Sequence, residues 1–403
     1  MAELLSVAEA LRRVLAEAKP LTAVETPLSD AHGLVLARDM AALRTQPPLS
    51  NSAMDGYAVR ADDVAQAPVT LDIVGESPAG HPFGGTVGAG QAVRIFTGGV
   101  MPAGSDTVVI QEHTTRDGDK VTVKKPTAKT RNVRNAGIDF SEGETLLAKG
   151  RRLTDRDLML AAAMNYPRLT VHRRPRVAVL GTGDELVPPG STTKPGQIVY
   201  SNGFALLALA RSEGAEPIDL GVVGDRVEDI VAAIRKARDA GADVLVTTGG
   251  ASVGDHDLVQ KALAAEELNL SFWKIALRPG RPTMHGRLAT MQVLGLPGNP
   301  VSSYVCAFLF LVPLIRTLLG RPDIEPETSD AILGRDMPEN DERRDYLRAT
   351  LADGPDGPVA TPLPAQDSSL MAPLAKADCL LIREPHAPFA PAGSPCVILK
   401  LAL

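Results

Sequence analysis

Hydrophobic positions fall into two patterns along the chain. From residue 51 to about residue 150 they come in short runs, VTLDIV, QAVRIF, DTVVIQE and DKVTVKK, between glycine and proline turns. Runs of that length without a 3.6-residue period predict a small β unit. From Arg176 onward, wholly apolar runs alternate with amphipathic stretches. VAVLG precedes a helical stretch at 201–213, and PIDLGVV precedes Val227, Ile230, Val231, Ile234 and Ala237 at helical spacing. DVLVTT precedes a helix over 257–266, and SFWKIAL continues the alternation. A hairpin around MHGRL then leads to MQVLGL and a long helix from Pro300 to about Leu319. Strands that are apolar throughout need helices on both faces, which predicts a doubly wound α/β domain with a mostly parallel sheet over 171–322.

The flanks read differently. Ser6 and Glu9 fit a capping box ahead of Val7, Leu11, Val14 and Leu15, and Pro20 stops that helix. A second short helical piece is expected over 29–38. Thr154 caps a helix to Asn165, expected to return onto the N-terminal ones. Residues 1–50 and 141–170 would then form a helical linker domain carrying 51–140 as an inserted β domain. After Pro322 and Pro326, the runs DYLRATL, ADCLLIRE and CVILKLAL predict a small β barrel or sandwich over 323–403. The expected fold class is multidomain α/β plus β.

Composition narrows the function. A net charge of −6 argues against a nucleic-acid coat, and 3% aromatic residues argue against base-stacking platforms. Cys306, Cys379 and Cys396 lie in no metal-ligand or CxxC spacing and read as reduced thiols of a cytoplasmic protein. There is no HExxH, Glu3 stands where a signal peptide needs positive charge, and the apolar run 305–315 is too short to span a bilayer. A membrane partner is therefore not expected.

The chemistry collects in polar, glycine-rich loops that follow successive strands: GTGDEL (181–186), VGDR (223–226), TTGGASVGDHD (247–257), RPGRP (278–282) and LPGNPVSS (296–303). In an open parallel sheet these lie at the carboxyl edge where ligands bind. None is a GxGxxG or a GxxxxGK[ST], which removes most support for a nicotinamide dehydrogenase or a P-loop enzyme. Asp184, Glu185, Asp225, Asp255 and Asp257 repel one another unless a cation such as Mg²⁺ sits among them. Lys274, Arg278 and Arg281 offer the opposite sign to a phosphate or oxyanion. Each feature has a plainer reading: Asp257 as an N-cap, Gly249 and Gly250 as a tight turn, Pro297 and Pro300 as loop shapers, Asp55 as an Asx turn, Thr97-Gly98-Gly99 as a hairpin end. The six basic residues from Lys120 to Arg134 read first as a solvated strand face.

In this order, NSAMDGYA (51–58), FTGG (96–99) with MPAG, NVRNAGIDF (132–140), GTGDEL, GGASVGDHD, RPGRP and LPGNPVSS resemble the molybdopterin molybdotransferases, the MoeA family that includes the gephyrin E domain. The resemblance covers nearly the whole chain and weakens in the last domain. It implies insertion of molybdate into adenylylated molybdopterin with release of AMP and a requirement for Mg²⁺. It also implies a homodimer whose cleft lies between the α/β domain of one subunit and the β domain of the other. Carried over by motif, Asp55, Thr97, Glu185, Asp225 and Asp257 take the catalytic positions, with Glu185, Asp225 and Asp257 near the metal. Gly249, Gly250, Ser252, Lys274, Arg278, Arg281, Pro297, Gly298, Asn299 and Pro300 take substrate-binding positions, with Arg348 and Ser368 matched less closely. Two departures stand out: Arg278 and Arg281 replace the family's lysines, and Ile138 replaces a glutamate beside Asp139. Implied partners are the pterin adenylyltransferase and recipient molybdoenzyme apoproteins. Pterin adenylyltransfer and a non-catalytic binding scaffold are the rival readings.

Overall fold

A computed structural model describes residues 4–249 and 258–401. The inserted unit is a six-stranded sheet in the spatial order Thr107–Ile110, Gly56–Val59, Gln91–Ile95, Val69–Ser77, Lys120–Val123, Thr114–Asp117. Neighbours are antiparallel except Val69–Ser77 with Gln91–Ile95. Tyr57, Val59, Leu71, Ala92, Val109 and Val121 fill its core.

The segments around it differ from the expectation. Residues 29–38 do not form a helix. A 3₁₀ turn at Leu28–Asp30 leads past Gly33, with φ +72°, into the short strand Val35–Leu36. That strand joins Arg168–His172 and Ala23–Pro27 in a three-stranded antiparallel sheet. Pairing the apolar Val35 and Leu36 there buries both completely, a tertiary gain that outweighs local helix propensity. The helix Asp155–Ala163 is capped by Thr154 as expected, and Asp157 makes the cap reciprocal: Thr154 Oγ1 accepts from Asp157 N at 3.3 Å, and Asp157 Oδ2 accepts from Thr154 N at 2.9 Å. It packs on this sheet through Ala161 and Met164 with Leu34, Leu36 and Leu169, not on the N-terminal helix. The N-terminal helix Val7–Leu15 lays Val7, Ala10 and Val14 instead against Leu314, Leu318 and their neighbours in the α/β core. Its apolar face finds a larger apolar partner there.

The α/β sheet runs Glu216–Val223, Arg176–Thr182, Val244–Thr248, Met291–Leu296, Met284–Leu288, Asn269–Trp273. The first four strands are parallel. The last two are antiparallel, so SFWKIAL supplies an edge strand and not a further parallel one. Pro300–Leu318 begins as an α-helix, widens into a π turn at Ala307–Leu311 ahead of Pro313, and resumes over Val312–Leu318. It is long and apolar enough to cross a membrane, yet 89% of its most apolar 18-residue stretch is buried inside the protein, as in a core helix.

The C-terminal strands close into a five-stranded barrel: Arg344–Gly354, Gly357–Pro362, Thr328–Leu333, Pro395–Lys400 and Cys379–Arg383, which pairs back onto the first. The two-residue strand Leu277–Arg278, leaving the α/β domain, adds to the barrel beside Arg344 and Asp345.

Candidate active site

Strand order reverses between Arg176–Thr182 and Val244–Thr248, because the chain leaves one strand toward Glu216–Val223 and the other toward Met291–Leu296. A crevice opens where the two connections part. Its volume is about 460 Å³, and Thr182, Glu185, Tyr200, Asn202, Thr248, Gly249, Gly298, Asn299 and Pro300 line it from the α/β domain. Ser369 and Met371 reach it from the barrel.

Glycine is required at its base. Gly249 has φ +94°, and a Cβ there would stand 2.5 Å from the carbonyl oxygen of Thr182. Gly298 is held over it, since Asn202 Nδ2 donates to Gly298 O at 2.7 Å. Asn299 precedes the helix that Pro300 opens, where a proline costs no hydrogen bond. Asn299 Nδ2 donates to Ser368 Oγ at 2.8 Å, and Val301 N donates to Ser368 O at 3.1 Å. Ser368 thereby ties the barrel to the wall of the crevice. Pro297 is buried beneath it.

On the acidic side, two loops are locked together by reciprocal bonds. Asp225 N donates to Asp184 Oδ1 at 3.0 Å, and Asp184 N donates to Asp225 Oδ2 at 3.4 Å. Glu185 is exposed at the same rim. Gly250, Ser252, Asp255, His256 and Asp257 lie outside the described residues. Among the described residues no group of three or more His, Cys, Asp or Glu side chains could hold a metal alone.

The cations differ in their surroundings. Arg281 is exposed. Lys274, in the left-handed region at φ +73°, holds its Nζ 4.4 Å from the Trp273 ring centroid. Arg278 is bound by Asp345, Asp341 and Asn340 of the barrel segment. Arg348 is 1% exposed. Its Nε donates to Gln366 Oε1 at 3.2 Å and its Nη1 to Asp367 O at 2.9 Å and Leu370 O at 3.3 Å, so it holds the loop bearing Ser368 and Ser369.

Asp55 and Thr97 meet at an edge of the inserted sheet. Asp55 Oδ1 accepts from Thr97 N at 2.7 Å and Thr97 Oγ1 at 2.8 Å. The Thr97 amide first, then its hydroxyl, hold the Asp55 carboxyl below the usual aspartate range, and Arg94 adds a smaller attraction. Arg94 is itself fixed over Tyr57 and Phe96, 5.2 and 4.7 Å from their centroids. No hydrogen bond or ion pair among the described residues joins this pair to the crevice. Asp139 and Ile138 are both exposed on a turn. Two of the basic residues at 120–134 are paired, Lys120 with Asp72 at 2.8 Å and Lys129 with Asp106 at 3.5 Å.

Sequence reasoning passed over Thr182, Tyr200, Asn202, Ser369 and Met371. Two glycines make room for Tyr200 in the fold. A Cβ on Gly181 would lie 2.6 Å from the Tyr200 ring, and one on Gly203 would lie 2.0 Å from its hydroxyl. Burial pushes that phenol up to about 12, so it stays protonated.

A doubly wound domain with hydroxyls, glycines and carboxylates at its switch point, joined to an inserted sheet and a closed barrel, defines a multidomain α/β plus β protein with its candidate site at the switch point. Residues 5–165 match the MoeA N-terminal region (domain I and II), 178–317 the probable molybdopterin binding domain, and 330–401 the MoeA C-terminal region (domain IV). The chain is 41% identical over 297 residues to the molybdopterin molybdenumtransferase of Nostoc sp. strain PCC 7120, covering 72% of this chain and 68% of that one. It is 35% identical over 360 residues to that of Haemophilus influenzae, covering 89% and 88%. The crystal structure of a molybdopterin biosynthesis MoeA protein from Pyrococcus horikosii superposes with a TM-score of 0.86 at 31% identity, over 100% of both chains. The chain belongs to the MoeA family, the molybdopterin molybdenumtransferases.

Proposed function

We propose that this protein makes molybdenum cofactor by inserting molybdate into adenylylated molybdopterin, with release of AMP. The observation that carries the reading is the crevice at the switch point: hydroxyls, glycine backbone and Glu185 line it, and the Asp184 and Asp225 loops are locked together beside Glu185. Donors of that kind hold phosphates and an oxyanion. Molybdenum also needs soft ligands, and the protein's thiols are unsuited to the task. Burial pushes Cys306 and Cys379 up to about 12, which keeps them as thiols. The dithiolene of the pterin substrate supplies the sulfurs instead.

Mg²⁺ fits the acidic rim by chemistry. Asp184, Glu185 and Asp225 offer hard oxygens at one edge, too few for a complete cage, as suits an ion that keeps waters and shares substrate phosphates. Asp225, Glu185 and Asp257 would hold it, and it would neutralise the charge on the leaving phosphate. The chain's own part is to orient the two phosphates on the loops at 181–186 and 296–303, to receive the anion near Arg281, and to exclude water with Ser369 and Met371. Asp55 and Thr97 are not among the residues lining the crevice, which supports a homodimer in which the partner subunit supplies them. We place the protein in the cytoplasm, receiving its substrate from a pterin adenylyltransferase and passing its product to molybdoenzyme apoproteins.

The test is AMP release by purified protein given adenylylated pterin, Mg²⁺ and molybdate. Release should depend on molybdate and stop with a chelator. Consumption of ATP with formation of pyrophosphate would point to adenylyltransfer, an activity for which the inserted sheet and the barrel serve no purpose. Full cofactor synthesis by an Asp257→Ala variant would favour a binding scaffold.

A further inference from the structure

We propose that Arg278 is an interdomain positioning residue and not an oxyanion ligand, leaving Arg281 as the arginine of the RPGRP loop that meets the anion. The inference rests on the transferase reading above and divides the labour between two side chains that look equivalent in sequence.

Arg278 is the last residue of the strand that passes from the α/β domain onto the barrel. Its Nε donates to Asp345 Oδ1 at 2.7 Å and its Nη2 to Asp345 Oδ2, forming a bidentate pair. Its Nη1 donates to Asp341 Oδ2 at 3.0 Å, and its Nη2 also reaches Asn340 Oδ1 at 3.0 Å. Four of the five N–H groups of a guanidinium are then committed, with one left for any further ligand. The acceptors are themselves fixed. Asp345 is 4% exposed, and Asn340 Nδ2 donates to the carbonyls of Arg343, Arg383 and Glu384. Bonds from Arg343 hold Asp341 down at about 2, so it is ionised at neutral pH.

The consequence falls on the loop. Arg344 N donates to Ala276 O at 3.1 Å, so backbone and side chain both clamp the chain immediately before residues 279–282. Arg281 lies three residues further on. It is exposed, and its side chain has no hydrogen bond or ion pair among the described residues. Its own carbonyl accepts from Ile275 N at 3.0 Å, which returns the loop to the clamped strand. A lysine at 278 is a point charge that cannot make the bidentate pair while reaching two further acceptors. The arginine that departs from the family pattern is therefore explained by the barrel residues it meets.

The experiment uses the full chain and two measurements, calorimetric titration with molybdate alone and molybdate-dependent AMP release. Arg281→Gln should weaken molybdate binding about ten-fold or more. Arg278→Gln should weaken molybdate binding by only about two- to five-fold, less than Arg281→Gln, and lower kcat about ten-fold or more, because a displaced loop misplaces the Arg281 charge without removing it. Asp345→Asn should give the same kcat loss, and the double variant should be no worse than either single one. The reversed pair, Arg278→Asp with Asp345→Arg, should recover part of the rate. A ten-fold loss of molybdate affinity in Arg278→Gln, with Asp345→Asn unaffected, overturns the proposal. Should Arg278→Gln fail to fold, Asp345→Asn decides: unchanged kcat refutes the latch. If the wild type never releases AMP in response to molybdate, the transferase reading fails, while the Kd comparison still separates the two arginines.

Discussion

Asp55 owes its properties to one neighbour. With both Thr97 donors on the same carboxylate oxygen, the folded pKa lies below the unfolded value of about 3.9. The sign follows from linkage: the pair stabilises the fold above the unfolded pKa, and that contribution disappears as pH falls through the folded one. Asp55 is thus ionised across the neutral range. Thr97→Val removes the hydroxyl bond and should raise the Asp55 pKa toward the unfolded value, measured by carboxyl carbon NMR during a pH titration. An unchanged titration would show that the amide alone sets it. Gly249 supplies a steric case. Gly249→Ala at φ +94°, with its Cβ 2.5 Å from a carbonyl oxygen, should cost about 1–3 kcal/mol in denaturant unfolding and distort the crevice floor.

At the scale of elements, the crevice depends on a few well-terminated pieces. Phe310 is fully buried in the π turn of the core helix, and Phe310→Ala should destabilise the protein by about 3–5 kcal/mol. Thr154 as a helix cap was legible because capping needs only residues within one turn; Thr154→Ala should cost about 1 kcal/mol. Both are read from chemical denaturation. The strand Val35–Leu36 was not legible, since a short apolar stretch following a serine and an aspartate suits a helix as well as a strand. Only pairing with Val171 and His172, over a hundred residues away, selects between them. The N-terminal helix shows the same limit: its apolar face was readable, but the element it packs on was not.

For the whole molecule, the absence of Asp55 and Thr97 from the crevice lining among the described residues makes a prediction about assembly. If the partner subunit completes the site, Asp55→Ala and Asp225→Ala each abolish molybdate-dependent AMP release in trans-complementing halves of the cleft. Mixing the two inactive variants, with subunit exchange, should restore roughly a quarter of wild-type activity, because half of the dimers then carry one intact cleft. No recovery in an exchanging mixture would place both residues in the same functional unit.

The sequence by itself determined the alternation that makes the α/β domain, the short β runs of the inserted unit and the barrel, and the loops at 181–186, 223–226 and 296–303 that gather at one sheet edge. These follow from local periodicity and turn chemistry, which a linear pattern carries. Only the tertiary structure decided that Arg278 faces the barrel while Arg281 is exposed with no side-chain partner among the described residues, that Arg348 is buried holding the Ser368 loop, and that Tyr200, Ser369 and Met371 line the crevice. Those outcomes depend on which distant acceptor or apolar surface comes within reach once the chain has folded. Side chains of identical type and spacing carry no mark of that in the sequence.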